Sequence, residues 1–399
     1  MTVFTIPKNV LSILSILENA GHEAYIVGGC VRDAIRGCVP TDWDVATSAV
    51  PCEVKGLFSR TFDTGIRHGT VSVLLGGGCF EVTTYRVDGA YLDNRRPSEV
   101  TFASKIEEDL SRRDFTINAI AFSPTHGFVD PFDGRGDILR RVIRCVGEAE
   151  KRFGEDALRM LRAVRFAAVL GFEMDDAALQ AITNLRATLA NISAERIRVE
   201  LVKLLCGKNL RAAKLLDVTG IMYFVLQKRE FHGNLDEIIA QLELLAKNKN
   251  SDESMRIALF LLWSDTDCEK ILRDLRFDNK TTKIVSQYIR FLPSEIPQAR
   301  YEIKKFLRIL TPEIFEKLLD LKECLTCMQS LTPICREVAR DIIAKNECFT
   351  LRDLAVNGND LTVAGFESGK AMGNTLEKLL DSVMHNPSLN TKEQLLCLL

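Results

Sequence analysis

Two aspartates near the N-terminus, Asp42 and Asp44, have the residue type and the spacing of a metal site. On a β-strand, residues i and i+2 point to the same side, so both carboxylates would lie on one face. Two carboxylates held side by side repel each other unless a cation lies between them, and Mg²⁺ commonly takes one or two carboxylates together with substrate phosphates. Glu81, in a later strand-like segment, would supply a third carboxylate. The pattern predicts a Mg²⁺ site, with two surface aspartates in a turn as the alternative.

A pair of glycines lies where a predicted strand meets a predicted helix. The strand spans Ala24–Val27, Gly28 and Gly29 follow it, and the helix carries Arg32. Glycines at such a turn let backbone N–H groups approach a phosphate, and the helix N-terminus adds a partial positive charge. The turn alone is a weak signal, but beside two aspartates it favours a phosphate-binding loop.

A helix predicted over Asp156–Leu170 carries further charged side chains that could face a ligand. Asp156 and Arg159 would be neighbours one turn apart, for which an ordinary i,i+3 ion pair is the alternative. Arg165 projects to the apolar side of this helix, where an unpaired guanidinium is costly, so it needs an anionic or hydrogen-bonding partner. An arginine that extends to solvent is the alternative there.

The elements that would position these side chains change in character along the chain. Up to about Arg144, short β-like runs are separated by Gly, Pro and Asp, and from Gly147 onward apolar residues recur with a helical period. The predicted fold class is α+β, with a sheet in the first third and helices in the rest. The predicted strands are Ala24–Val27, Asp44–Thr47, Val71–Leu75, Phe80–Tyr85, Ala119–Phe122 and Phe128–Asp130, and the later helices are Asp156–Leu170, Asp176–Leu189, Ala194–Leu205 and Leu210–Thr219.

Composition excludes several classes of protein. The 399 residues are 46% hydrophobic and 27% charged, and no stretch approaches the roughly 20 apolar residues of a membrane span. The N-terminal segment lacks the basic start and cleavage site of a signal peptide, so a cytoplasmic protein with reduced thiols is expected. Cys324 and Cys327 form a CxxC without a second pair, which favours apolar packing over zinc.

The net charge of −2 gives no global attraction for nucleic acid, so a polyanion would have to bind a local patch. The segment from Lys151 to Lys214 holds twelve basic and seven acidic residues, and Lys304, Lys305 and Arg308 form a weaker cluster. Both are candidates for phosphate contacts, and a solvated helical face is the alternative for each.

Five segments in a fixed order resemble a known family. They read GGCVRDAIRGCVPTDWD, RRDFTINAIAF, DPFDG, GEDALRMLRAVRF and ISAERIRVEL. These are similar, in order and spacing, to the class II tRNA nucleotidyltransferases of the DNA polymerase β-like superfamily. The resemblance covers about the first 205 residues closely, then weakens, and returns at Leu354–Leu361.

The resemblance implies a role for each candidate residue. Asp42 and Asp44 would bind Mg²⁺, with Glu81 as a further catalytic carboxylate. The residues implied to bind ATP or CTP are Gly29, Arg32, Arg113, Asp156, Arg159, Arg162 and Arg165.

The resemblance also implies an organisation and partners. A polymerase β-like nucleotidyltransferase head with a mixed β-sheet (1–145) would precede an all-α neck (146–206), body (207–297) and tail (298–399). The activity would be addition of the 3′-terminal CCA to tRNA from CTP and ATP without a nucleic-acid template. The expected partners are the tRNA 3′ acceptor end, CTP and ATP, with no membrane, and a homodimer is allowed.

Other activities of this family stay open at this point, namely a bacterial poly(A) polymerase and an enzyme that adds only A. Gly65–Thr70 looks like the G-x-x-H-G-T segment of CCA-type enzymes, which argues against the polymerase. Asp88–Pro97 resembles a flexible loop that CC-adding enzymes lack, whereas an A-adding enzyme keeps it. A protein that merely holds RNA would not need Asp42, Asp44 or the pair formed by Arg113 and Asp114.

Overall fold

The computed structural model describes residues 5–89, 100–262, 268–325 and 331–399. Cys327 and most of the predicted Asp88–Pro97 loop lie outside these ranges. Within the described residues, no helix is long and apolar enough to cross a membrane. By its internal contacts the chain divides into two compact units, Met1–Leu235 with Ile271–Phe277, and Asp236–Lys270 with Asp278–Leu399.

The first unit contains the β-sheet and the helices that surround the candidate site. Its strands are β1 (Ala24–Val27), β2 (Asp44–Thr47), β3 (Thr61–Gly65), β4 (Thr70–Leu75), β5 (Gly78–Thr84), β6 (Arg86–Asp88), β7 (Val100–Phe102), β8 (Ala121–Ser123), β9 (Gly127–Val129), β10 (Val142–Ile143) and β11 (Glu173–Met174). Its first helices are α1 (Lys8–Asn19), α2 (Gly29–Ile35), α3 (Pro51–Leu57), α4 (Ile106–Ser111) and α5 (Gly134–Arg140).

Helices make up most of the chain after β10. They are α6 (Ala149–Glu155), α7 (Leu158–Leu170), α8 (Asp176–Leu185), α9 (Ala194–Leu205), α10 (Lys214–Val218), α11 (Met222–Val225), α12 (Leu235–Leu245), α13 (Glu253–Leu261), α14 (Cys268–Asp274), α15 (Asn279–Phe291), α16 (Arg300–Ile309), α17 (Pro312–Leu325), α18 (Thr332–Ala344), α19 (Gly358–Val363), α20 (Lys370–His385) and α21 (Lys392–Leu396). The predicted α+β class with a mixed sheet is therefore confirmed.

The seven-stranded sheet has the order β3-β4-β5-β2-β1-β8-β9. β2 runs parallel to β5, and the other neighbouring strands are antiparallel, so the sheet is mixed. Tyr25, Val27, Ala46 and Tyr85 belong to the apolar cluster that packs the sheet against α4. The sheet thus fixes β2, which carries Asp44, between β1 and β5 at its centre.

Two predicted helices are shorter than expected. The helix predicted from Asp156 begins at Leu158, because Asp156 is extended (φ −136°, ψ 105°) at the end of α6. The helix predicted over Asp176–Leu189 ends at Leu185 and continues as a 3₁₀ turn over Arg186–Asn191. The predicted helix Ala194–Leu205 has the observed bounds of α9.

One residue of the predicted weaker basic cluster cannot contact a polyanion. The Lys304 side chain is fully buried, and its Nζ lies 2.9 Å from Glu347 Oε2 and donates a hydrogen bond to Met384 O (3.1 Å). Arg308 is paired with Glu377 at 2.6 Å. An amphipathic helix places Lys304 on the inner face of α16, a position that the run of basic residues does not reveal.

Candidate active site

An open cleft of about 570 Å³ in the first unit brings most of the predicted site residues together. Backbone and side chains from the β1–α2 turn, the start of β2, the segment after α4, and helices α7 and α9 form its walls. The predicted residues that line it are Gly29, Arg32, Asp44, Arg113, Asp156, Arg159, Arg162 and Arg165. Asp42 and Glu81 are not among its lining residues.

The two predicted metal-binding carboxylates lie on the same side of the backbone. Asp42 and Asp44 are exposed, whereas Trp43 between them is only 8% exposed, which is the alternation of an extended segment. β2 itself begins at Asp44, so Asp42 precedes the strand rather than lying on it. Val45 pairs with Val82 in the parallel ladder, and this register brings Glu81 alongside Asp44.

The neighbouring carboxylates contribute to a raised pKa of Asp44. Although Asp44 is exposed as a residue, desolvation of its carboxyl group by the surrounding protein, and next the negative charge of Glu81, raise its pKa. Asp42 adds to this effect and Arg113 opposes it. A bound cation would offset this repulsion between neighbouring carboxylates.

The carboxylates suit a Mg²⁺ ion that is bound by two side chains rather than by three. Asp42 and Asp44 offer only oxygen ligands, which Mg²⁺ prefers, and leave coordination positions for phosphate oxygens. Across the described ranges, no group of three or more His, Cys, Asp or Glu side chains is arranged to hold a metal ion. Asp42 and Asp44 are therefore the residues that would hold the ion, and a role for Glu81 stays a prediction.

The glycine turn lies directly beside Asp44. Val27, the last residue of β1, pairs with Asp44, and Gly28 follows with a left-handed φ of 75°. A Cβ built on Gly28 would lie 2.8 Å from Arg113 Nη1, so the turn and this guanidinium are in close contact. On Gly29, the nearest such contact is Arg32 Nη2 at 3.8 Å, which is an ordinary distance.

These two glycines allow a matched test of the phosphate-binding loop. Gly28→Ala is expected to lower the melting temperature, because alanine at this positive φ costs roughly 1–3 kcal/mol and its methyl group would displace Arg113. Gly29→Ala is expected to keep the melting temperature, since Ala suits a helix, but to weaken nucleoside triphosphate binding about tenfold by blocking close approach of the phosphates. Thermal unfolding and calorimetric titration measure the two effects. Normal binding by Gly29→Ala would remove Gly29 from the phosphate contacts.

A buried hydrogen-bond network joins the arginine of α2 to an arginine of α7. Arg32 Nη1 donates to Asn118 Oδ1 (2.7 Å), and Asn118 Nδ2 donates to Asp114 Oδ1 (3.2 Å). Asp114 Oδ2 in turn accepts from Arg162 Nε (2.9 Å) and Nη2 (2.6 Å). The network holds two predicted nucleotide-binding arginines in fixed orientations.

Asp114 is the buried carboxylate of this network, and it is only 8% exposed. Burial alone would raise its pKa, but the charge and hydrogen bonds of Arg162, with Arg159 and Asn118, outweigh burial and lower the pKa to about 2. The ionised form is therefore preferentially stabilised in the folded protein.

This lowered pKa predicts a specific acid sensitivity. Because the pKa is lower in the folded state than in the unfolded state, the stabilisation is present above pH about 4 and is lost as the pH falls toward 2. Between pH 4 and pH 2, the free energy of unfolding should therefore fall less for Asp114→Asn than for the wild type, by up to about 2 kcal/mol. Urea unfolding at a series of pH values measures this difference. A difference that does not change with pH would show that Asp114 does not titrate with folding.

Asp156 and Arg159 both line the cleft, but they do not form the predicted pair on one helix. Asp156 lies in the break between α6 and α7, accepts from Leu158 N (3.1 Å), and is paired with Arg196 of α9 at 2.7 Å. Arg159 is paired instead with Glu155 at 2.6 Å. Glu155 is at the i−4 position, where its carboxylate reaches Arg159 more readily than the extended Asp156 does.

Arg165 has the anionic partner that its position on α7 requires. Its Nε lies 2.6 Å from Glu200 Oε2, and Glu200, on α9, is also 3.6 Å from Arg162. The Arg165 guanidinium lies over the Phe166 ring, 3.8 Å from its centroid, and Arg32 and Arg162 approach the same ring at 5.3 and 5.5 Å. One aromatic side chain thus contacts three cleft arginines.

Several cleft residues were not among those predicted from the sequence. Asp114 and Asn118 lie within the RRDFTINAIAF segment, so the resemblance of that segment to the family could have identified them as site residues. Arg196 and Lys203 lie seven residues apart on α9, a spacing of two helical turns that places both side chains on one face of the helix. The lining residues for which no metal- or nucleotide-binding role was predicted are Arg112, Asp114, Asn118, Leu158, Phe166, Arg196 and Lys203.

Three family models match successive parts of the chain. Residues 24–144 match the poly(A) polymerase head domain, and residues 171–231 match a probable RNA- and SrmB-binding site of polymerase A. Residues 248–399 match the putative tRNA nucleotidyltransferase domain 2. The first match contains the sheet and the predicted metal-binding aspartates.

Relatives match this chain along nearly its whole length. The CCA-adding enzyme of Lactobacillus delbrueckii subsp. bulgaricus is 38% identical over 392 residues, which cover 98% of this chain and 96% of that protein. The CCA-adding enzyme of Lactiplantibacillus plantarum is 39% identical over 389 residues, which cover 96% and 93%. The crystal structure of the Bacillus stearothermophilus CCA-adding enzyme in complex with CTP is 34% identical, with a TM-score of 0.84 over 99% of this chain and 97% of that one. The resemblance found in the sequence is therefore confirmed, and the chain belongs to the CCA-adding enzymes, nucleotidyltransferases of the poly(A) polymerase family.

Proposed function

We propose that this protein adds the 3′-terminal CCA to tRNA from CTP and ATP, without a nucleic-acid template and with Mg²⁺ as its metal. The observation that carries the proposal is a single cleft that contains the Asp44 carboxylate, the glycine turn, and the Asp156 and Arg159 side chains. A nucleotide whose phosphates lie near the first two would present its base to the last two.

The chain's own residues would position the reactants. Asp42 and Asp44 would hold Mg²⁺, which when bound favours ionisation of the primer 3′-hydroxyl and neutralises the triphosphate. Gly29, Arg32 and Arg113 would orient the phosphates so that the primer oxygen attacks the α-phosphorus in line. A new phosphodiester bond forms, the bond to the β-phosphate breaks, and pyrophosphate leaves. Catalysis of this kind rests on positioning and electrostatics, without a covalent intermediate.

Base selection would follow from hydrogen-bond patterns. Cytosine presents an amino donor (N4) beside an acceptor (N3), and adenine presents the same pattern at N6 and N1, whereas uracil and guanine present the reverse. A carboxylate accepts and a guanidinium donates, so Asp156 and Arg159 match C and A and mismatch U and G. Arg162 and Arg165 would contribute charge to the same wall of the cleft.

Each region of the chain has its own role in the proposed function. We assign catalysis to the head (1–145), nucleotide selection to the neck (146–206), and tRNA binding to the tail (298–399), with the body (207–297) between them. The partners would be CTP, ATP and the tRNA acceptor end, in the cytoplasm. A homodimer stays a prediction that sedimentation would test.

The reaction class has a direct test. With tRNA that ends before CCA, the protein should release two pyrophosphates per tRNA with CTP alone, three with CTP and ATP, and none with EDTA until Mg²⁺ is restored. RNA binding without pyrophosphate release would make the chain a binding protein. Release with ATP alone, repeated many times on one RNA, would make it a poly(A) polymerase.

A further inference from the structure

The arginines that line the cleft are already paired with carboxylates of the protein. Each of the seven lies within 4 Å of a carboxylate oxygen. The pairs are Arg32–Asp33, Arg112–Asp109, Arg113–Asp109, Arg159–Glu155, Arg162–Asp114, Arg165–Glu200 and Arg196–Asp156. An incoming anion must therefore share these guanidinium groups with their carboxylate partners.

Lys203 differs from these arginines. It lines the same cleft from α9 and is exposed. Within the part of the chain that the structure describes, its Nζ makes no ion pair or hydrogen bond. A lysine acts as a mobile point charge and is a common ligand of phosphate groups, so this ammonium is available to an anionic ligand without loss of an internal pair.

The position of Lys203 along α9 indicates which part of a nucleotide it would meet. Arg196 contacts Asp156, the proposed base-reading carboxylate, and Glu200, one turn later, contacts Arg165. Lys203 follows after almost another turn, about 10 Å from Arg196 along the helix axis. Arg165 and Arg32, the proposed phosphate-binding arginine, both lie close to the Phe166 ring. Lys203 thus lies at the phosphate end of the cleft wall.

We propose that Lys203 binds the β- or γ-phosphate of the incoming nucleoside triphosphate. This inference rests on the proposed function, because it takes the base to lie at Asp156. The polyphosphate carries the highest charge density of any group that the cleft would receive, whereas each RNA phosphodiester carries one charge. Among the described residues that line the cleft, Lys203 is the cation without an internal partner, so its position favours the triphosphate over the primer.

The test compares binding of CTP and CMP without RNA, by calorimetry in Mg²⁺, for the wild type, Lys203→Ala and Lys203→Arg. Lys208→Ala is the matched control, because Lys208 is an exposed lysine nearby that does not line the cleft. Lys203→Ala should weaken CTP binding roughly 5- to 30-fold, the loss of one charge-assisted contact, and leave CMP binding unchanged. Lys203→Arg should largely restore CTP binding, and Lys208→Ala should bind both as the wild type does.

Three results would overturn the inference. Unchanged CTP binding by Lys203→Ala would remove Lys203 from the nucleotide site, and equal weakening for CTP and CMP would exclude the β- and γ-phosphates. A loss confined to tRNA, in a parallel titration with tRNA that ends before CCA, would assign the contact to the RNA backbone. If the wild type itself failed to bind CTP, the proposed function would fail together with the inference, whereas the first three results leave the proposed function intact.

Discussion

Replacement of Asp44 by asparagine is expected to reduce CTP incorporation by at least about 10³-fold while the protein stays folded. Asparagine has the shape of aspartate but lacks the charge that would hold Mg²⁺ against the triphosphate, and loss of such electrostatic stabilisation removes several kcal/mol from the transition state. Because desolvation, and next the negative charge of Glu81, raise the pKa of Asp44, its ionised form disfavours the folded state at neutral pH without metal. The melting temperature of the variant in EDTA should therefore equal or exceed that of the wild type.

The measurements are single-turnover incorporation at saturating Mg²⁺ and thermal unfolding in EDTA. Asp63→Asn is the control, since Asp63 is an exposed carboxylate on β3 of the same sheet, paired only with Lys55 at 3.0 Å. Surface pairs of this kind contribute little, so this variant should keep both activity and stability. Substantial incorporation by Asp44→Asn would contradict the metal assignment.

Replacement of Asp156 by asparagine is expected to lower the preference for CTP over UTP by roughly 5- to 150-fold. The asparagine Oδ1 can still accept from Leu158 N, so the start of α7 keeps its cap. Its amide group can also donate to the O4 carbonyl of uracil, which the carboxylate would repel. Each mismatched buried polar group costs about 1–3 kcal/mol, which sets the expected range.

The measurement is the ratio of kcat/KM for CTP and UTP on tRNA that lacks CCA. Asp175→Asn is the matched control, because Asp175 caps α8 through Ala177 N (3.2 Å) and does not line the cleft. That variant should keep the CTP preference of the wild type. An unchanged ratio in Asp156→Asn, with normal CTP incorporation, would leave Asp156 as a helix cap and the partner of Arg196.

The strands β1 and β2 and the exposure of Asp42 and Asp44 could be predicted because local patterns determine them. β1 and β2 have the bounds that the sequence predicts, since short β-branched and apolar runs end at glycine, proline or aspartate. The burial of Trp43 between two exposed aspartates likewise follows from the two-residue period of an extended chain. These features depend on neighbours in sequence.

The pairing of the cleft side chains could not be predicted in the same way. Arg162 pairs with Asp114, 48 residues earlier, and Asp156 with Arg196, 40 residues later. The packing of α7 on α9 and on the sheet determines these partners. Helical periodicity in the sequence does not specify that packing. The same packing extends Asp156 out of the predicted helix, so the two residues do not form the i,i+3 ion pair that was the alternative interpretation, and Arg159 pairs with Glu155.

The most direct test of the proposed function is to identify which nucleotides the protein adds when all are offered. Transfer RNA that ends before CCA is incubated with the protein, Mg²⁺ and all four nucleoside triphosphates at equal concentration, and the 3′ ends of the products are sequenced. The account predicts products that end in CCA and stop there, with U and G rare at every added position. Runs of A, addition of A only to RNA that already ends in CC, or frequent U and G would contradict it.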